Sequence, residues 1–402
     1  MNATNGKGGF SERRLARMRE ALAGHVEAGR APGLVTVLAR HGEVLVDAIG
    51  TTAAGGTTPM RSDTIVRISS MSKPITAVAA LILVEECRLR LDEPVDRLLP
   101  ELADRRVLRF PGAELDDTVP AHRPVTVRDL LDFRCGLGMI MEPEAFGHPI
   151  YRAAQELGVV GFGPPDPRSP HSPDEWARRV GTLPLVCRPG ERWLYNTGSY
   201  LLSVLVARAA GQPFEAFLRE RIFEPLGMRD TGFCVPAADL DRLATAYRAE
   251  EDGTIAEFDA PAGSGWARPP AFPDGGGGLV STAEDYLAFA RMLLNGGAYR
   301  GERILSRPAV ELMTSDQLTE AQRREAFGEA MSWGFGVSVT LRRDGLAATP
   351  GRYGWDGGLG TSWYNDPAED LVAILMTQRM EFPLANPIRQ DFWTGVYQAI
   401  DD

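Results

Sequence analysis

Arg67-Ile68-Ser69-Ser70-Met71-Ser72-Lys73-Pro74 runs directly into the ten-residue apolar-rich segment Ile75 to Val84. The segment is too short to span a membrane and suits a buried core helix, predicted over Ile75–Glu86 and closed by Leu91-Asp92-Glu93-Pro94. Positions i and i+3 share a helix face, so Ser70 and Lys73 can meet at its start. A hydroxyl is a weak nucleophile until a neighbouring base takes its proton, and a desolvated Lys is such a base. Free N–H groups at a helix N-terminus can also stabilise negative charge on a reacting carbonyl oxygen. With sixteen Ser in 402 residues, a Ser falls three places before a given Lys about once in 25 by chance, so the spacing alone is a weak signal. The usage of Lys strengthens it. Of 43 basic residues, 41 are Arg, and only Lys7 and Lys73 are Lys. Lys can lose its proton when buried, which Arg does not.

The rest of the composition sets the frame. The chain has 44% hydrophobic and 24% charged residues, ordinary globular values that leave room for two domains. Net charge is −11 with no basic block, which argues against a nucleic-acid or anionic-membrane partner. The first residues lack the apolar core of a secretory signal, so a cytoplasmic location is expected. Cys87, Cys135, Cys187 and Cys234 lie 47 to 52 residues apart without a CxxC, and are expected as free thiols packed like small apolar residues in a reducing compartment.

Along the chain, residues 12–30 carry helical spacing ending at Gly29, and Gly33–Arg40 and Val44–Ile49 read as a hairpin around His41-Gly42. Thr64–Ile68 is a short strand-like piece. From about 95 to 275, helical stretches (Val127–Phe133, Ser172–Val180, Ser199–Ala210, Pro213–Ile222) alternate with Pro/Gly loops such as Gly161 to Pro173. Thr282–Leu294 is helical again. Gly334–Leu341, Thr361–Asn365 and Leu371–Thr377 read as strands, the last two joined at Asp366-Pro367. A final helix has Asn386 as N-cap and Pro387 at its first position, with Ile388, Phe392, Val396 and Ile400 on one face. This order predicts an α/β (α+β) fold: an antiparallel sheet flanked by helices and built from both termini (12–84 and 275–402), with a helical, loop-rich domain (85–274) inserted and the site between them.

Several chemistries lack their motifs. The five His show no HExxH or other ligand spacing, and no metal or cofactor is expected. No GxSxG elbow is present, against an ordinary α/β-hydrolase. Gly275–Gly278 is not followed by Lys-Ser/Thr, so it reads as a turn or strand-to-helix connection and not a phosphate loop.

The segment Arg67 to Pro74 resembles the nucleophile segment of the penicillin-recognising serine hydrolases, which include class C β-lactamases, serine DD-peptidases and family VIII carboxylesterases. Four further stretches match in order: Val125 to Leu131; Pro189-Gly190-Glu191-Arg192-Trp193-Leu194-Tyr195, similar to the PGxxWxY segment; Pro225 to Thr231; and Gly277 to Thr282. The resemblance covers about residues 33 to 377. It implies the β-lactamase/DD-peptidase fold, with Ser70 as nucleophile and Lys73 and Tyr195 as the groups that move its proton. A phenol titrates near 10, so a nearby ammonium is needed if Tyr195 is to act as a base. Trp193 is expected in the core.

Three departures shape the expected substrate. Where β-lactamases carry a Lys-Thr-Gly-like triplet, this chain has Trp355-Asp356-Gly357-Gly358, similar to the Trp-Gly-Gly version of family VIII esterases. An indole offers an N–H but no charge, and an ionised Asp356 facing the site would repel the carboxylate of a β-lactam or peptide, though it can equally point into solvent or a local hydrogen bond. Thr197 stands where the β-lactamase pattern has Asn. Asp132 to Met139 departs from the usual Thr-His-Thr-Ser-Gly-Leu, so pocket preference is not carried over; Cys135 there is a poor nucleophile, with no motif placing a His beside it. The resemblance therefore implies a serine carboxylesterase acting through a Ser70 acyl-enzyme, with an oxyanion hole from the N–H groups of Ser70 and Gly358 and a substrate-binding set of Trp355, Asp356, Gly357 and Met139. The partner expected is a small-molecule ester. An acyltransferase using the same residues, a β-lactamase or D-amino-acid peptidase, and a non-enzymatic ligand-binding relative remain open.

Overall fold

Gly33–Arg40 and Leu371–Met376 are almost continuously apolar, and both are buried along their whole length. Strands with that pattern need cover on both faces, which places them at the centre of a sheet. The computed structural model, describing residues 7–159, 167–347, 349–380 and 387–402, has them paired antiparallel, Val35 opposite Met376 and Val37 opposite Ile374. The full sheet runs Met331–Trp333, Ser338–Thr340, Tyr353–Gly357, Thr361–Asp366, Leu371–Met376, Gly33–Arg40, Glu43–Gly50, every pair antiparallel. The fold is thus the mixed helix and antiparallel-sheet class, built from both ends of the chain.

Side chains alternate across each strand, so one face takes Leu34, Leu38, Tyr364, Ala373 and Leu375 and the other Val35, Val37, Trp363, Val372 and Ile374. The terminal helices Glu12–Glu27 and Pro387–Ala399 pack together on the first face, burying Met18, Leu22, Ile388, Phe392 and Val396. The helix Ala283–Leu294 covers the second, its N-cap Thr282 accepting from Asp285 N. Beyond it lies Ser72–Glu85, buried from Ser72 to Leu83 and packed on Thr197–Ala210. Among the described residues no single helix is long and apolar enough to cross a membrane.

Several expectations are corrected. The Ser72–Glu85 helix ends within one residue of the expected Glu86, but what closes it is not Leu91 to Pro94. Cys87 takes φ 58, and the N–H groups of Cys87 and Arg88 cap the carbonyls of Val84 and Leu83 in a Schellman arrangement, a place usually held by Gly. Of Gly334–Leu341 only Ser338–Thr340 is strand: Gly336, at φ 72, turns the chain into it from a preceding strand, Met331–Trp333. Pro213–Ile222 is a longer helical run, Phe214 to Leu226, with a π turn at Arg219–Phe223. The inserted region also holds short strands, Arg106–Leu108 with Thr118–Pro120, and Ala246–Ala249 with Ile255–Asp259, the latter hairpin extended in parallel by Arg379–Met380. Asn386 and part of the Gly161–Pro173 loop (160–166) lie outside the described residues. All four cysteines are free; Cys135 and Cys187 are buried, whereas Cys87 is exposed.

Candidate active site

Ser70 lies in a single 3-10 turn, Ser69–Met71, that feeds directly into the Ser72–Glu85 helix. The turn is clamped on every side. Ile68 N–H donates to Leu279 O (3.0 Å), its carbonyl accepts from Thr361 Oγ1 (3.1 Å), Ser72 Oγ accepts from Leu279 N (3.2 Å), and Tyr286 Oη donates to Met71 O (2.9 Å). Just upstream, Arg67 is fully buried. Its guanidinium pairs with Asp259 and bonds Ala244 O, while Gln378 joins its backbone at N (3.0 Å) and O (3.2 Å). Held this way, Ser69 keeps φ 46 and a buried hydroxyl without a partner among the described residues, a strained conformation of the kind stored beside reactive groups.

The helical spacing does what it predicts: Lys73 Nζ donates to Ser70 Oγ at 2.9 Å. Lys73 is 1% exposed, and its second bond goes to the Gly276 carbonyl. Its ammonium also sits 4.7 Å from the centre of the Tyr195 ring. Tyr195 arrives from 125 residues away on an isolated bridge with Met139, each backbone N–H reaching the other's carbonyl (2.9 and 3.0 Å). Its hydroxyl lies 2.9 Å from Ser70 Oγ, and Trp355 Nε1 donates to it at 3.0 Å. Asn196, immediately after, has φ 87 and ψ −56 in a γ-turn closed by Thr197 N to Tyr195 O (3.2 Å), a rare and strained geometry that swings the chain into the Thr197–Ala210 helix.

Ser70, Lys73, Tyr195, Trp355 and Met139 are therefore brought together, Met139 through its backbone. Gly357 is a close-approach residue: a Cβ there would stand 2.4 Å from Ile68 O. Gly358 is exposed, and a Cβ there would meet nothing within 4 Å. Asp356 is not part of the group. Strand alternation sends its carboxylate to the opposite face, where Arg389 (2.7 Å) and Ser362 Oγ (2.5 Å) hold it. Its expected place in the substrate-binding set is therefore withdrawn. Thr197 is buried at the first turn of its helix. Cys135 is also out: burial pushes its thiol up to about 12, and Sγ faces Leu137 O.

Sequence reading missed the aromatic wall. Phe133, at φ 62, packs against Tyr195, Trp193 and Trp333 at 5.0 to 6.1 Å, and Trp333 meets Trp355 edge to face at 4.6 Å. Phe327 closes the cluster on Trp193 at 4.7 Å. Trp193 is only half-buried, so it belongs to this wall more than to a core. A run of aromatics scattered over 200 residues carries no local pattern by which it could be found. Among the described residues no three His, Cys, Asp or Glu converge to hold a metal ion.

Comparison with known proteins gives the arrangement its context. A family model described as Beta-lactamase matches residues 18–392. Protein Rv1367c of Mycobacterium tuberculosis is 38% identical over 363 residues, covering 88% of this chain and 87% of that protein. Esterase EstB of Burkholderia gladioli is 33% identical over 392 residues, covering 92% and 91%. Among solved structures, EstCE1, described as a hydrolase with promiscuous acyltransferase activity, superimposes with a TM-score of 0.79 at 26% identity, covering 96% of this chain and 99% of that one.

Proposed function

The chain belongs to the beta-lactamase family, and on that premise we propose that it is a serine carboxylesterase working through a Ser70 acyl-enzyme. The observation that carries the reading is the convergence on one hydroxyl: Ser70 Oγ has Lys73 Nζ and Tyr195 Oη each at 2.9 Å. Two fixed roles orient the set. A carbonyl only accepts, so Lys73 must donate to Gly276; an indole N–H only donates, so Tyr195 Oη must accept from Trp355. The Ser–Tyr contact can run either way, and in the reactive form Ser70 donates to Tyr195.

On this reading the reactive form holds Tyr195 as the phenolate, and Ser70 Oγ attacks the ester carbonyl as its proton passes to that phenolate oxygen, with the Lys73 ammonium and the Trp355 N–H stabilising charge on the two oxygens. The carbonyl electrons move onto the oxyanion, received by the N–H groups of Ser70 and Gly358; the contact of Gly357 with Ile68 supports that pairing. Collapse breaks the ester C–O bond, and Tyr195 protonates the leaving alcohol. Water then attacks the acyl-enzyme, losing its proton to Tyr195, and Ser70 leaves with that proton restored.

The resemblance to EstB and EstCE1 supports ester chemistry, and the latter's transferase activity keeps a second reading alive, in which an alcohol replaces water. Trp355 brings no charge to anchor a substrate carboxylate, which favours neutral esters over β-lactams or peptides. The test is steady release of nitrophenol from p-nitrophenyl butyrate. Ser70→Ala and Lys73→Ala are expected to abolish release while the fold persists; wild-type turnover in either variant refutes the assignment. Added alcohol that diverts the acyl group into a new ester would select the transferase reading.

A further inference from the structure

Asp274-Gly275-Gly276-Gly277-Gly278 lies directly behind Lys73, and its close packing accounts for the glycines. A Cβ on Gly275 would stand 2.4 Å from Thr76 Oγ1 and 2.6 Å from Ser203 Oγ, and one on Gly276 would stand 2.4 Å from Tyr200 Cε1. Packing does not account for the acid. The Asp274 carboxylate accepts from Gly276 N–H at 2.6 Å, and its backbone carbonyl accepts from Gly277 N–H at 3.4 Å. Gly276 is thus held at its N–H by a carboxylate while its carbonyl meets the Lys73 ammonium. Among the described residues Lys73 bonds only neutral oxygens, Ser70 Oγ and Gly276 O, although it is almost wholly buried. A buried charge with no counterpart is costly.

We propose that Asp274 is a positioning residue for Lys73: its carboxylate holds Gly276 by the N–H so that the Gly276 carbonyl stays on Nζ, and it supplies the negative charge that balances the buried ammonium. This rests on the role given to Lys73 above. The residue keeps a partly exposed edge, yet burial pushes its carboxyl up to about 6, opposed by the Gly276 N–H and by Lys73. The other titratable groups near it are Tyr200, whose hydroxyl accepts from Asn196 Nδ2 (2.6 Å), and beyond it Tyr195.

The two-lysine composition makes the test direct. With lysine labelled at 13Cε and 15Nζ, the 402-residue chain gives two side-chain signals, and exposed Lys7 serves as the internal control. Asp274→Asn keeps an acceptor for the Gly276 N–H and removes the charge. The Lys73 titration is expected to move to lower pH by about one pH unit while that of Lys7 stays in place. The kcat/KM profile with p-nitrophenyl butyrate should move the same way, because loss of a negative charge lowers the titration of every neighbour. Asp274→Ala, which also frees the peptide, should lose about 10²-fold in kcat. An unmoved Lys73 signal in the Asn variant overturns the proposal, as does a uniform rate loss with unshifted pH limbs, which would mark a purely structural role. If Asp274→Asn does not fold, Asp274→Ser gives the same readout. The lysine titration does not depend on ester turnover, so a protein silent towards the ester would sink the esterase reading and leave this one to be judged by the titration.

Discussion

Trp355 and Asp356 are neighbours in one strand but belong to different regions of the molecule. Trp355 faces the strained, incompletely satisfied side, where Ser69 and Phe133 hold positive φ, Asn196 sits in a γ-turn, and the indole nitrogens of Trp193 and Trp333 are buried without partners among the described residues. Asp356 faces the terminal helices, where its carboxylate meets Arg389 and Ser362, and Trp393 Nε1 closes on Ser362 Oγ at 2.9 Å. Around it Phe392, Ile388 and Val396 are fully buried. One face carries strain beside a reactive hydroxyl, and the other carries regular packing that holds the sheet in place. A strand delivers both because its side chains alternate.

Substitutions can break this division if it is wrong. The largest effect is expected from Tyr195→Phe, which removes the proton carrier: kcat should fall by about 10²- to 10⁴-fold with the melting temperature nearly unchanged. Trp355→Phe keeps the ring and deletes one donor to a charged oxygen, so a loss of about 10- to 100-fold in kcat is expected. Combining it with Tyr195→Phe should cost little more, since the two act through one contact. Smallest is Asp356→Asn. Weakening its pair with Arg389 should lower stability by about 1 kcal/mol and leave kcat unchanged, measured by thermal melts and ester turnover side by side. A kcat defect in Asp356→Asn that matched Trp355→Phe would erase the distinction between the faces.

How much of this the sequence could reveal depended on how local each feature is. The Ser70–Lys73 contact is a three-residue spacing on one helix, and periodicity is enough to find it. Tyr195 is 125 residues distant and came only through resemblance to a known family. The strand Tyr353–Gly357 was not read as a strand because Gly354 and Gly357 weaken the β signal; with it recognised, alternation alone would have sent Asp356 away from Trp355. The end of the Ser72–Glu85 helix is legible to within a residue, but Cys87 as its capping residue is not, because that position is normally Gly. The glycine tract reads as a turn and is one, but a carboxylate holding the glycine whose carbonyl meets Lys73 is visible only in three dimensions.

The most direct measurement is the intact mass of the protein quenched during turnover of p-nitrophenyl butyrate, followed by peptide mapping. The account predicts a butyryl adduct on the peptide that carries Ser70, absent in Ser70→Ala and depleted when turnover is allowed to finish. An adduct on any other residue, or ester turnover that persists in Ser70→Ala, would contradict it.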